Sequence, residues 1–140
     1  MGSNEVKSYV LDTNALLWLM RADHSLGRQS VNMADDAMRS DSLFVSAISF
    51  WEVAALSMKG RLKMHEPVSD WRRRVLGLSI REIPLSGSIA IGAAQLIDFH
   101  ADPADRMITA TALEHEAVLI TAYRTILAWP GNLMRHDARQ

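Results

Sequence analysis

Tyr9-Val10-Leu11-Asp12-Thr13-Asn14-Ala15-Leu16-Leu17-Trp18 passes from a β-rich run to a helical one across a single carboxylate. The run from Val6 to Leu11 predicts a strand and the apolar stretch from about Asn14 predicts a helix, so Asp12 falls at the carboxyl end of the strand. In open α/β sheets ligands collect along that rim. The alternation continues down the chain. A second helix is expected near Ser30 to Arg39, a strand at Leu43 to Val45, and a helix from about Ala47 to Lys59 with Ser46 as N-cap and Gly60 at its end. A turn-prone stretch leads to Pro67, followed by a helix at Trp71 to Leu76, a strand at Ser79 to Pro84 and an apolar helix after Ser86. Asp102-Pro103 opens a helix to about His115, Val118 to Thr121 reads as a strand, and a short helix around Thr125 and an edge strand near Leu133 close the pattern. Strands separated by helices predict a parallel sheet in an α/β fold.

With 140 residues, 49% of them hydrophobic, the chain can bury one sizeable core, and residues 6–136 read as a single domain. Met1 to Glu5 is polar and reads as a disordered N-terminus or a cloning remnant. The absence of cysteine excludes a disulfide scaffold and a thiolate zinc site. A formal net charge of -1 means that bulk charge does not draw the chain to nucleic acid or an anionic membrane, so phosphate binding must come from local groups. No secretion signal or membrane-length apolar run is evident, and a cytoplasmic protein is expected.

Asp12, Glu52 and Asp105 are the candidate functional residues. Glu52 lies among Ile48, Phe50, Trp51, Val53, Ala54, Ala55 and Leu56, and a carboxylate buried there without a partner costs several kcal/mol, on the order of an unpaired ion in a protein interior. Asp12 follows the first strand, and Asp105 sits in the first turn of a helix, where the positive dipole end favours it. Three carboxylates without His or Cys are hard oxygen ligands suited to Mg²⁺ or Mn²⁺, which keep several waters and bind substrate phosphate. Phosphodiester hydrolysis is the chemistry such a group supports. Each acid also has a structural reading: Asp12 as a turn or helix N-cap, Asp102 and Asp105 as N-cap and N3 of their helix, Glu52 as one half of an ion pair.

Four blocks carry a resemblance. Val10 to Trp18, Ser46-Ala47-Ile48-Ser49-Phe50-Trp51-Glu52-Val53-Ala54, His100 to Ala112 (His-Ala-Asp-Pro-Ala-Asp-Arg-Met-Ile-Thr-Ala-Thr-Ala) and Leu119-Ile120-Thr121-Ala122 resemble, in order and spacing, the successive motifs of PIN-domain proteins of the VapC type. The resemblance implies a three-layer α/β/α fold around a mainly parallel sheet. It also implies a Mg²⁺- or Mn²⁺-dependent endoribonuclease, the toxin of a type II toxin–antitoxin pair, acting as a homodimer neutralised by a VapB-like antitoxin. The family's acidic residues carry over to Asp12, Glu52 and Asp105 as catalytic and metal-binding groups, with Asn14 and Thr121 assisting by hydrogen bonding. Tyr123 departs from the pattern, standing where the family usually places a fourth acid. A second cation should then bind more weakly, and Asp102, in the preceding turn, is the candidate substitute carboxylate.

Lys59, Arg61 and Lys63 follow the Glu52 helix and are candidate RNA-phosphate contacts, whereas Arg72, Arg73 and Arg74 read better as a solvated face. The four tryptophans could stack bases but suit core or subunit contacts, and no histidine is singled out as a base. The rival to a nuclease is a catalytically weakened PIN-fold module that binds RNA or protein, motivated by Tyr123. An aspartyl-phosphate protein fits poorly, since Asn14 stands where a phosphatase places its second Asp.

Overall fold

The computed structural model describes residues 7–140, so the expectations for Met1 to Glu5 and for a strand start at Val6 lie outside the described residues. Five strands, β1 (Tyr9–Leu11), β2 (Leu43–Ser46), β3 (Ile80–Ile83), β4 (Val118–Thr121) and β5 (Arg135–Asp137), form one sheet in the order β3-β2-β1-β4-β5. Every pairing is parallel, with Leu11 opposite Val45 on one side and Ile120 on the other. The expected α/β layout is therefore present with a wholly parallel sheet.

The alternation along the strands divides the core. Val10 and Leu119 point into one apolar layer, while Leu11 and Ile120 point into the other. Both faces of the sheet are covered, which is why its central strands read as almost continuous apolar runs. On one face lie α1 (Thr13–Arg21), α2 (Arg28–Arg39) and α4 (Val68–Leu76), contributing Leu16, Ala34, Ala37, Trp71 and Val75. On the other lie α5 (Gly87–Ala94), α6 (Pro103–Glu114) and the short α7 (Arg124–Leu127), contributing Ile89, Ala93, Ile108, Ala112 and Ile126. Helix α3 (Ala47–Met58) reaches both layers, with Phe50 and Val53 in the first and Ile48 against the second.

Local chemistry sets the element boundaries. Ser46 caps α3, accepting from Ile48 N at 3.2 Å, and Gly60 takes φ +70° in the turn beyond it. Helix α4 starts at Val68, a turn earlier than Trp71, because Pro67 enters as its N-cap and its carbonyl accepts from Asp70 N and Trp71 N at 3.0 Å each. Strand β5 lies at Arg135–Asp137, just past the expected Leu133, whose side chain is spent in the core.

Helix α2 begins at Arg28 behind Gly27, which has no side chain to cap it. The chain's final residues supply the acceptors: Gly27 N donates to Ala138 O at 2.8 Å and Ser30 N to Gln140 O at 3.1 Å. A Cβ on Gly27 would stand 2.1 Å from Gln140 O, so only glycine admits this approach. The packed fold thus runs past residue 136, with Ala138 fully buried and its N–H donated to Thr121 O.

Candidate active site

Asp12 ends β1 and caps α1, and both of its carboxylate oxygens are engaged: Oδ1 accepts from Ala15 N at 2.8 Å and Oδ2 from Thr121 Oγ1 at 2.6 Å. It is only 1% exposed. Burial pushes its pKa up to about 6 against the pull of the Thr121 and Ala15 hydrogen bonds, and the charge of Asp105 adds to the rise. The capping role and the candidate site role therefore fall on the same carboxylate.

Glu52 lies in the second turn of α3, half-buried, with one oxygen hydrogen-bonded by the hydroxyl of Thr13, which itself lies 2.9 Å from Ser49 Oγ. Its apolar sequence neighbours led to the expectation of an enclosed acid. Helical rotation instead sends Phe50 and Val53 inward and Trp51 outward, leaving Glu52 at the rim. Its pKa rises to about 7, first through desolvation and then through the charges of Asp105, Asp102 and Asp12, against the Thr13 hydrogen bond.

Asp105 is 5% exposed in the first turn of α6, with Oδ2 2.7 Å from His100 Nε2. Burial raises its pKa, the His100 contact lowers it, and Asp102 raises it again. Asp102 is the N-cap of α6, accepting from Asp105 N at 3.1 Å, and its field still reaches Glu52. Arg106, the next residue along, turns back and donates to the carbonyls of Ala93 (3.0 Å), Leu96 (3.3 Å), Phe99 (2.7 Å) and His100 (2.9 Å). Phe99 stacks on His100 with ring centroids 4.5 Å apart, so the imidazole is fixed from behind.

Tyr123 N–H donates to Thr121 Oγ1 at 3.1 Å, and its phenol pKa is pushed up to about 12 by burial and by the charges of Asp105, Glu52, Asp12 and Asp102. Position 123 thus faces the acidic group. Asn14 stands half-buried in the first turn of α1, and the neighbouring Thr13 makes the link to Glu52. Lys59 caps the end of α3 beside the site, while Arg61 and Lys63 are exposed in the following turn, where Lys63 O accepts from Arg21. The arginine triplet is consumed in ion pairs: Arg72 with Glu82, Arg73 with Asp70, Arg74 with Glu66.

Sequence reasoning passed over Thr13 and His100. The signal for His100 was its place immediately before the Asp102-Pro103 helix start, which turns the chain back and sets residue 100 against residue 105. Among the described residues no three acidic or histidine side chains stand close enough to enclose an ion as they are arranged. No helix among them is long and apolar enough to cross a membrane.

The PIN domain family model matches residues 9–124. Ribonuclease VapC22 of Mycobacterium tuberculosis is 33% identical over 118 residues, covering 84% of this chain and 88% of that protein. In fold, the chain matches the VapBC2 structure from Rickettsia felis bound to a promoter DNA fragment, with TM-score 0.69, 16% identity, and 91% of this chain and 96% of that one covered. It also matches FitAcB from Neisseria gonorrhoeae, with TM-score 0.63, 20% identity, and 93% and 97% covered. A toxin–antitoxin complex from Klebsiella pneumoniae gives TM-score 0.59 at 24% identity, with 88% and 93% covered. On the family model and the 33% identity together, this chain belongs to the PIN-domain family, on its VapC branch.

Proposed function

We propose that this chain is a metal-dependent endoribonuclease, the toxin of a type II toxin–antitoxin pair, with Asp12, Glu52 and Asp105 as its working carboxylates. The observation that carries it is the approach of Asp12 and Glu52, from two separate segments, to within the field of Asp105 from a third, in a chain one-third identical to a ribonuclease.

The donor set fits a hard divalent cation. Three oxygen ligands with raised pKa values hold their protons more tightly than free carboxylates do, and a bound cation favours their ionised forms by supplying the counter-charge. Because the acids do not enclose an ion as they stand, some would reach it through water, which Mg²⁺ tolerates well. When bound, Mg²⁺ or Mn²⁺ lowers the pKa of water and offsets charge developing on the phosphate. Thr121, Thr13 and His100 hold Asp12, Glu52 and Asp105 in place, so little reorganisation is left to the moment of reaction. Tyr123 adds a polar hydroxyl without negative charge, which favours one cation over two.

The similarity in fold to toxin–antitoxin structures supports pairing with a VapB-like antitoxin, and the homodimer implied by the family resemblance is part of the same proposal. The weakened-module alternative gains nothing from these comparisons, since the acids are all present and held. The test is cleavage of RNA by purified protein in Mg²⁺ and in EDTA, with D12N, E52Q and D105N alongside. Wild-type cleavage that stops in EDTA and in each variant is expected. Full-rate cutting by D12N, or cutting that survives EDTA, would overturn the assignment.

A further inference from the structure

Trp51 is the outlier among the four tryptophans. Trp71 is buried against Phe50, Trp129 is buried and donates Nε1–H to Ile97 O, and Trp18 is half-buried with Arg139 over its ring. Trp51 is 62% exposed, one residue from Glu52. An indole left in water forgoes about 25 cal/mol for every Å² of apolar surface it could have buried, so its use is to be sought outside the folded chain.

A groove of about 240 Å³ runs beside it, lined by Trp51, Glu52, Ala55, Lys59, Asp102 and Pro103, among others. Residues 51, 55 and 59 recur at helical spacing, so one face of α3 presents an aromatic ring, a small residue and a cation in line. Lys59 lies seven residues beyond Glu52, about 10 Å along the helix axis. The groove is thus anionic at one end and cationic at the other. Its volume falls below the roughly 300–1,000 Å³ of pockets that take drug-sized ligands, which suits a single planar ring. Glu52 lines the groove, so a ring held there lies beside one of the three proposed catalytic acids.

We propose that Trp51 is the stacking platform for one unpaired base of single-stranded RNA flanking the phosphate to be cut, with Lys59 holding a neighbouring phosphate. This rests on the nuclease reading above and adds to it the residue that positions the substrate, a base gripped by its π-face beside a phosphate held by charge. A duplex, whose bases are already stacked, cannot use the platform.

The test measures affinity for a short mixed-sequence single-stranded RNA by fluorescence anisotropy, in the D12N chain with Mg²⁺ so that bound RNA is retained uncut. Adding W51A should weaken binding roughly ten- to hundredfold, the cost of losing one base stack, whereas W51F should retain most of it. W51A should leave binding of a blunt duplex unchanged. Adding K59A should lower the slope of log affinity against log salt by about 0.7. Unchanged single-strand affinity in the W51A chain overturns the stacking role, as does failure of the parent D12N chain to bind single strands. A shift in oligomeric state on size exclusion with affinity intact assigns Trp51 to a protein contact and also overturns it. Cleavage by D12N on gels of the same samples counts against the nuclease assignment alone, because the affinity comparison is read separately.

Discussion

Thr121 Oγ1 donates a 2.6 Å hydrogen bond to Asp12 Oδ2, joining the ends of two adjacent strands across 109 positions of sequence. Replacing Thr121 with Val keeps the shape and removes the donor, leaving a buried carboxylate oxygen without its partner. Mg²⁺ affinity measured by calorimetry should weaken roughly tenfold to hundredfold, and T121S should restore it. Unaltered affinity in T121V would show that Asp12 does not meet the ion from this side.

In the metal-free protein, stability should fall as pH rises. Asp12 titrates in the fold at about 6 against an ordinary 3.8, and Glu52 at about 7 against 4.5. The native state therefore holds protons that the unfolded chain has released. The stabilisation is complete below the ordinary values and is lost as pH climbs through the folded ones. Asp12 contributes on the order of 2–3 kcal/mol to this loss, and the half-exposed Glu52 contributes less because solvent screens it. Urea unfolding in EDTA at pH 4.5, 6 and 8 should give declining midpoints, with saturating Mg²⁺ flattening the trend above pH 6. Midpoints that rise with pH in EDTA would contradict the burial and mutual repulsion that raise these acids.

Tyr123→Asp adds a carboxylate where the phenol now meets the fields of four acids. Metal should bind more tightly to this variant, while its metal-free form should unfold at lower urea than wild type, since another like charge has been added to the group. Calorimetry and urea unfolding together check both signs. No change in either would mean that position 123 lies outside the ion's reach.

Arg106→Met removes the donor to the Ala93 carbonyl at the end of α5 and to the loop carbonyls of Leu96, Phe99 and His100, at a cost on the order of 3 kcal/mol in urea unfolding. R106K should recover only part, because an ammonium lacks the planar fork that spans several acceptors. At temperatures where R106K is folded, kcat for RNA should fall more than KM rises, since the loop that sets His100 behind Asp105 has lost its tie.

Where neighbours in sequence are neighbours in space, the chain was readable before its coordinates. The strand–carboxylate–helix passage at Asp12, the Ser46 cap and the Asp102-Pro103 helix start are all local, and each appears as expected. The unread features depend on distant partners. Nothing near Gly27 reveals that residues 138–140 return to cap α2. Nothing around Thr13 reveals Glu52 as its partner. Trp51 sits among apolar residues in sequence, and only the rotation of α3 against the core decides that it faces water.

Strand order carries a consequence for synthesis. β1 leaves the ribosome first yet occupies the middle of the sheet, between β2 and β4, and its second neighbour is made more than a hundred residues later. Until β4 emerges, Asp12 has an open flank and lacks the hydroxyl that orients it, while Asp105 has only just been added. The Thr121 hydrogen bond to Asp12 cannot form before that point. Support for Asp12 is thus one of the later contacts the growing chain can make, because its hydroxyl donor comes from a strand on the far side of the sequence.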